Sequence, residues 1–484
     1  MKTTEAIVVE PQSSAIGDGS SVTSPCAESQ RWGGSQDFVR PGGWYTLWTA
    51  LVLTLFAFVD RQLLTLAAEP ISKSLSLSDT ELGMVQGLAF SVFTVVAVYP
   101  IAWLADRFDR RFVLGGCVLA WSLGTAACGF VRDFHELFAA AVLIAAGEAG
   151  LTPLIMAVVP DLFGGRKRLV ANGIQYFAAY VGISIALVLG GLALTGLDRF
   201  HPSLPSALGA WDSWRIAFLT VVLPTPLLLL AIAFMKLPRP RGVGRGGGAS
   251  LERVVGEAPD GIGGFLQSHW VATACVIGSL GLYLLAFGGF FVWLPVACAR
   301  LFGATPADNG SGMGLASGLG MLAGVAISTL VVRRLMPRIG RVASVRVAWW
   351  SMLLTVPVLP SFAFVAATWH AYAAMGVLMV SGTAIGVLVP TMLQEMTSSD
   401  IRARFFALYA IASALLSGAS ASLVGLVSDM IGGERGLLYA LSGVALLAWI
   451  GATLLMRVSE RHFVVMAEAA AQRGTARNFQ EQAV

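Results

Sequence analysis

From Trp44 to about residue 457 the chain alternates long apolar runs with short polar breaks. A helix needs about 20 apolar residues to cross a ~30 Å hydrocarbon core. Twelve such segments stand near 44–68, 80–104, 112–131, 136–160, 169–195, 215–236, 270–299, 310–333, 343–366, 370–396, 403–428 and 437–457. The stretch 237–269, with Pro238, Pro240 and the glycine-rich run Gly242 to Gly248, separates six spans from six. The pattern predicts an all-α membrane protein of twelve transmembrane helices. Its parts are a disordered cytoplasmic tail over 1–43, a six-helix bundle over 44–236, a cytoplasmic linker over 237–269, a second bundle over 270–458 and a cytoplasmic tail over 459–484. Residues 1–43 are rich in Ser, Gly and Gln and have no apolar run, so they do not read as a signal peptide.

Composition agrees. Of the 484 residues, 56% are hydrophobic and only 12% charged, about half the charge of an ordinary soluble protein. The excess of Lys and Arg over Asp and Glu is small and spread over short loops, which gives no surface for nucleic acid. Its distribution sets orientation. If the amino terminus is cytoplasmic, 25 of the 32 Lys and Arg fall on the inner segments and 6 on the outer loops, so both termini are expected in the cytoplasm. Scarce lysine beside arginine, with abundant Ala, Gly and Val, suggests a GC-rich bacterial genome, and a chain of this kind is then expected in the bacterial inner membrane. The five cysteines have no metal-binding spacing, and the histidines lie at segment ends without a partner. Cofactor, metal and catalytic chemistry are therefore unsupported.

Charges inside the spans carry the functional reading. Asp60 and Arg61 sit about two-thirds of the way along the first run. Each costs roughly 2.5–3.5 kcal/mol at a lipid-facing helix centre, so both should face protein or a water-filled cavity. Neighbours along a helix point about 100° apart, so the two can reach different helices. A fixed ion pair that orders packing competes with a titrating or substrate-binding centre. Glu148, between Gly147 and Ala149 in the fourth span, lies about 18 Å from the outer end. A protonated glutamate that merely joins two helices is its structural alternative. Ser78 to Glu81 form a capping box before the second span. That span ends in Asp106, Arg107, Arg110 and Arg111, an acid and clustered arginines suited to a cytoplasmic gate. Tyr283 and Phe287 share a face of the seventh span and are candidates for a cavity wall. Gly310, Gly314 and Gly318, then Gly320 and Gly324, read as close-packing positions only.

Ala102 to Arg111 match the form G-x-L-x-D-R-x-x-R-R apart from alanine in the glycine position. With two sets of six spans and a central linker, the chain resembles the major facilitator superfamily. Asp60-Arg61, Glu69-Pro70-Ile71, Trp121-Ser122-Leu123, Gly147-Glu148-Ala149 and Asp161-Leu162-Phe163 together resemble its Spinster branch. The resemblance implies two pseudo-symmetric bundles, a site between them, and alternating access by rocking. It further implies lysophospholipids or sphingosine phosphate as substrates, some with proton coupling. There are two departures. The loop Val332 to Arg338 lacks the motif's aspartate, and relatives place an arginine where this chain has Ala141. Seven residues turn about 700°, so positions 141 and 148 share a face roughly 10 Å apart.

The expectation is a monomeric secondary transporter for an amphipathic anion such as a lysophospholipid or sphingosine-phosphate-like lipid, coupled to protons. Asp60 and Glu148 are the proton-coupling pair, and Arg61, Tyr283, Phe287 and the Ala141 position belong to the substrate site. Asp106, Arg107, Arg110 and Arg111 form the gate. Ala141→Arg is then expected to raise flux. An importer of small organic anions such as sugar acids, and a transporter-like receptor without flux, stand as alternatives.

Overall fold

The computed structural model describes residues 38–200, 211–237, 267, 269–397 and 399–482. Among them twelve helices are long and apolar enough to cross a membrane. They are α1 Gly43–Leu66, α2 Asp79–Ala105, α3 Arg110–Cys128, α4 Phe134–Met156, α5 Val181–Phe200, α6 Ser213–Ala233, α7 Trp270–Phe302, α8 Pro306–Ile339, α9 Ala343–Phe364, α10 Thr368–Met396, α11 Phe405–Ile431 and α12 Gly436–Glu460. Odd-numbered helices start at the arginine-rich face joined by the 237–269 connection, here the basic face. They run to the opposite, far face. The residues of α12 stay helical through Gln482, so the stretch after 458 continues that helix. Residues 1–37 and most of 237–269 lie outside the described residues.

Local chemistry sets the helix starts. At α2 the Glu81 backbone N–H donates to Ser78 Oγ at 3.2 Å, and the Ser78 N–H donates to Glu81 Oε2 at 2.9 Å. This is the expected capping box. Thr305 and Asp308 form a second one before α8. Within each half, buried aliphatic and aromatic side chains make the core, with Trp121 in the first half and Trp293 and Trp449 in the second. The Trp293 and Trp449 indole N–H groups donate to the Ala421 and Met352 carbonyls at 2.9 and 2.8 Å, so both are satisfied in an apolar setting.

The halves meet along two seams of small residues, both toward the far face. On α2 and α11, a Cβ at Gly83 would stand 2.5 Å from the Ala421 carbonyl oxygen, and one at Gly87 2.2 Å from that of Gly418. On α5 and α8, a Cβ at Gly310 would stand 2.3 Å from the Leu187 oxygen and one at Gly314 2.8 Å from that of Ser184. Only hydrogen fits at these points, which lets the helices touch backbone to backbone. Gly320 and Gly324 instead press on Gly376 and Val380 of α10 within the second half. The glycine run of α8 therefore serves two interfaces. Residues Met84–Ala89 of α2, beside the first seam, form a π-helical turn, a local irregularity common where a helix carries a site.

Gly87→Val is expected to wedge the far face apart. With Ser422→Cys as reporter beside the Gly83 carbonyl, labelling from the far side should rise several-fold. Unchanged labelling would show that this seam is not what holds the halves together.

Candidate functional site

Asp60 and Arg61 do point to different helices. Asp60 is buried, and Thr125 of α3 donates to its Oδ2 at 3.1 Å. Arg61 projects the other way, with its guanidinium 4.9 Å from the Phe90 ring centre on α2. This is cation–π distance. Among the described residues Arg61 makes no ion pair, so its guanidinium is free for an anion. Glu148 feels the charges of both Asp60 and Arg61. One oxygen of each carboxylate, Asp60 Oδ1 and Glu148 Oε1, is buried without a partner in the protein.

The helix carrying Glu148 is broken just after it. Its first segment ends at Glu148 and its second begins at Leu151. Neighbours crowd the break. A Cβ at Gly147 would lie 2.4 Å from the Trp121 nitrogen, and one at Gly150 2.6 Å from Ile101 Cγ2. Glycine is required at both positions for α4 to press on α2 and α3.

Arg61 opens into a cavity of about 400 Å³ between the halves, just beneath the α2–α11 seam. The amino-terminal half lines it with Arg61, Gln62, Thr65 and Gln86 beside Phe58, Phe90 and Ile183, and the second half with Phe287, Phe291 and Val292 of α7 and Ser417 of α11. The cation and most of the amide and hydroxyl groups come from the first half, and aromatic side chains come from both.

Two of the expected site residues lie elsewhere. Tyr283 is 4% exposed and does not line the cavity. Its hydroxyl donates to the Gly382 carbonyl at 2.8 Å, and its ring packs on Phe287 and Trp449. It joins α7 to α10 inside the second half, behind the Phe287 that does face the cavity. Ala141 is 0% exposed and sits in the core cluster of the first half, not on the cavity wall. An arginine there must displace close-packed neighbours, so the gain of flux expected for Ala141→Arg gives way to an expected loss. Overpacking alone costs about 1–3 kcal/mol. Ala141→Arg should lower the thermal midpoint of the purified protein. An equal or higher midpoint would restore the charge reading of position 141.

At the basic face Arg110 pairs with Asp161 at 2.9 Å and Arg111 with Asp109 at 3.0 Å, while Arg107 stacks over the Trp103 ring at 4.0 Å. All these partners belong to the first half. The Asp106 side chain lies outside the described residues. The Arg110–Asp161 pair ties the start of α3 to the stretch that follows α4.

The ties between halves are at the far face, at residues the sequence reading left unassigned. Arg300, at the end of α7, donates to Glu69 Oε2 at 2.6 Å and reaches Asp79 at 2.8 Å. Asp429 of α11 accepts from the Thr80 backbone N–H at 2.8 Å and from that of Asp79 at 3.2 Å. It thus caps the start of α2 from across the interface. Ser428 donates to Asp79 at 2.7 Å, and Thr195 accepts from the Ala307 N–H at 3.0 Å. Between described side chains, the hydrogen bonds and ion pairs that join the halves all lie at this face. The halves are closed there, and the central cavity lies on the basic side of the closure.

Two six-helix bundles meeting around a central cavity, with a closure on one side of it, have the architecture of a membrane transporter. The chain belongs to the Major Facilitator Superfamily, whose model matches residues 50–421. It is 29% identical over 401 residues to an MFS-type efflux pump of Mycolicibacterium smegmatis, covering 80% of this chain and 84% of that one. It is 27% identical over 255 residues to protein spinster homolog 3 of Danio rerio, covering 51% of this chain and 46% of the relative. This chain therefore spans about half the length of that spinster relative. Among solved structures it resembles a bacterial homologue of the human lysosomal transporter Spinster, in an inward-facing and unoccupied conformation. The TM-score is 0.70 at 19% identity, over 90% of this chain and 99% of that one. Superfamily and Spinster resemblance are thus as the motifs indicated.

Proposed function

We propose that this chain moves an anionic amphiphile of the lysolipid kind across a bacterial inner membrane, coupled to protons, by alternating access. The observation that carries this reading is Arg61, without an ion pair among the described residues, in a cavity lined by amide, hydroxyl and aromatic side chains, near two carboxylates that each bury an oxygen. The guanidinium suits a phosphate or carboxylate head, and Phe287 and Phe291 suit the start of an acyl chain. The excess of arginine and lysine on the basic face favours a cytoplasmic location for it. On that orientation the cavity is inward-facing and Arg300 belongs to an outer lock. A name such as MFS-type efflux pump for one relative fits outward movement of an amphiphile.

The cycle follows from the charges. Asp60 and Glu148 are neighbours near Arg61, so a proton on either one changes how strongly Arg61 is held by the protein and how freely it meets an anion. Closing the basic face would bring the Asp106–Arg107–Arg110 turn against the second half. Opening the far face must break the Arg300 pairs, and water entering there lowers the cost of separating them.

Uptake of a labelled lysophospholipid into proteoliposomes tests the reading. Saturable uptake that needs the protein and is blocked by Arg61→Ala is expected. Transport of sugar acids with no lysolipid flux would contradict the amphiphile assignment, and no flux of any solute would favour a receptor.

A further inference from the structure

Glycine inside a helix is weaker than alanine there, so a buried helical glycine calls for a close neighbour. Gly382 is such a residue, buried within α10 and behind the cavity wall. Its φ is not positive, so the backbone does not demand glycine. A Cβ at this position would stand 2.3 Å from Phe287 Cε2 and 2.7 Å from Phe287 Cζ. The outer edge of the Phe287 ring therefore rests in the space that a side chain at 382 would fill. That same ring lines the cavity.

At this level α10 is held by three neighbouring helices. Ser381 Oγ donates to the Ser351 carbonyl of α9 at 2.8 Å. On α8, a Cβ at Gly324 would stand 2.4 Å from the Val380 carbonyl oxygen, so the two backbones touch there. The Tyr283 hydroxyl of α7 donates to the Gly382 carbonyl itself at 2.8 Å. The backbone at 382 cannot retreat from α7 without breaking these contacts. The Phe287 ring has the Tyr283 and Phe291 rings along its own helix, with centres 5.5 and 5.6 Å away. The empty volume beside it is the cavity. A ring turns about two side-chain torsions, whereas a packed helix moves only with its neighbours. An atom added at 382 is therefore accommodated by the ring, which swings toward the cavity.

We propose that Gly382 is a specificity-determining residue: it gives the Phe287 ring a seat against α10, and so sets the room that the central cavity leaves for the apolar chain of the substrate. Gly382 touches no substrate and acts through Phe287. Filling the seat would push the ring into the cavity, and apolar sites discriminate by the bulk they can admit. A longer chain, which needs more of that room, should suffer most. This inference rests on the anionic-amphiphile reading above and adds a specificity to it.

The matched probes are 1-lauroyl and 1-oleoyl lysophosphatidic acid, which share a head and differ in the chain. In proteoliposomes, Gly382→Ala should lower kcat/KM for the oleoyl lipid about tenfold or more, and for the lauroyl lipid by no more than about threefold. The same substitution made in a Phe287→Leu background should change the oleoyl value by less than about twofold, because the shorter side chain no longer fills the seat. General loosening or misfolding of α10 would not spare that background. An unchanged oleoyl rate in Gly382→Ala, an equal loss for both lipids, or the same loss in both backgrounds would overturn the proposal while leaving the amphiphile reading standing. If the wild type moves neither lipid, the amphiphile reading falls and the role of Gly382 falls with it.

Discussion

Asp60→Asn and Glu148→Gln should each remove the dependence of transport on a pH gradient. Both residues are carboxylates with an unpartnered buried oxygen inside the amino-terminal bundle. The amide substitutions keep shape and hydrogen bonding but cannot exchange a proton. In Asp60→Asn the side-chain carbonyl can still accept from Thr125, so the fold around α1 and α3 should survive. Flux driven by a pH gradient is expected to fall at least 100-fold. Counterflow, in which labelled substrate exchanges for unlabelled at equal pH, should persist because it needs no net proton movement. Equal pH-driven flux in wild type and both variants would remove the pair from the coupling scheme.

Arg300→Ala should unlock the far face. The arginine is 28% exposed on its side chain and Glu69 and Asp79 are 9% and 10% exposed, so it links two nearly buried carboxylates across the halves. Removing one partner of a fully buried pair costs about 3–5 kcal/mol. Partial solvent screening at Arg300 brings this to about 2–3 kcal/mol. That corresponds to a population shift of roughly 30- to 150-fold toward the state with the far face open. A single cysteine near the α7–α8 turn should become accessible from that side, and double electron–electron resonance between the end of α7 and the start of α2 should show a longer distance. An unchanged distance would mean that the glycine seams and the Asp429 cap hold the closure alone.

Much of the fold was legible because a bilayer leaves few options. An apolar run of this length must be a helix, and the spans read from the pattern agree with α1 to α12 to within a few residues at most ends. The capping box at Ser78 was legible for the same kind of reason, since its hydrogen bonds are local. Within the site, Asp60, Arg61 and Glu148 announced themselves by charge in an apolar context. Phe287 was separable from Tyr283 only by where each side chain ends, which depends on how α7 is rotated against α10. Ala141 was misplaced for a related reason: a shared helical face with Glu148 does not say which neighbour covers it.

The far-face closure was hidden for another reason. Arg300, Asp79 and Asp429 each look like ordinary loop-end charges, and only the three-dimensional meeting of α2, α7 and α11 joins them. Gln62 and Gln86 were similarly silent, because a glutamine in a span carries no charge signal. One available clue was polarity itself: Gln62 follows the Asp60-Arg61 pair, and Gln86 interrupts an otherwise apolar span.

The central claim is that protons and an anionic amphiphile move through one cavity in the same cycle. It is tested most directly by recording luminal pH in proteoliposomes when a lysophospholipid gradient is imposed with no pH gradient present. The account predicts a protein-dependent pH change in the wild type that saturates with lysolipid and is absent in Glu148→Gln. Lysolipid uptake with no pH change in the wild type, or the same pH change in both proteins, would contradict it.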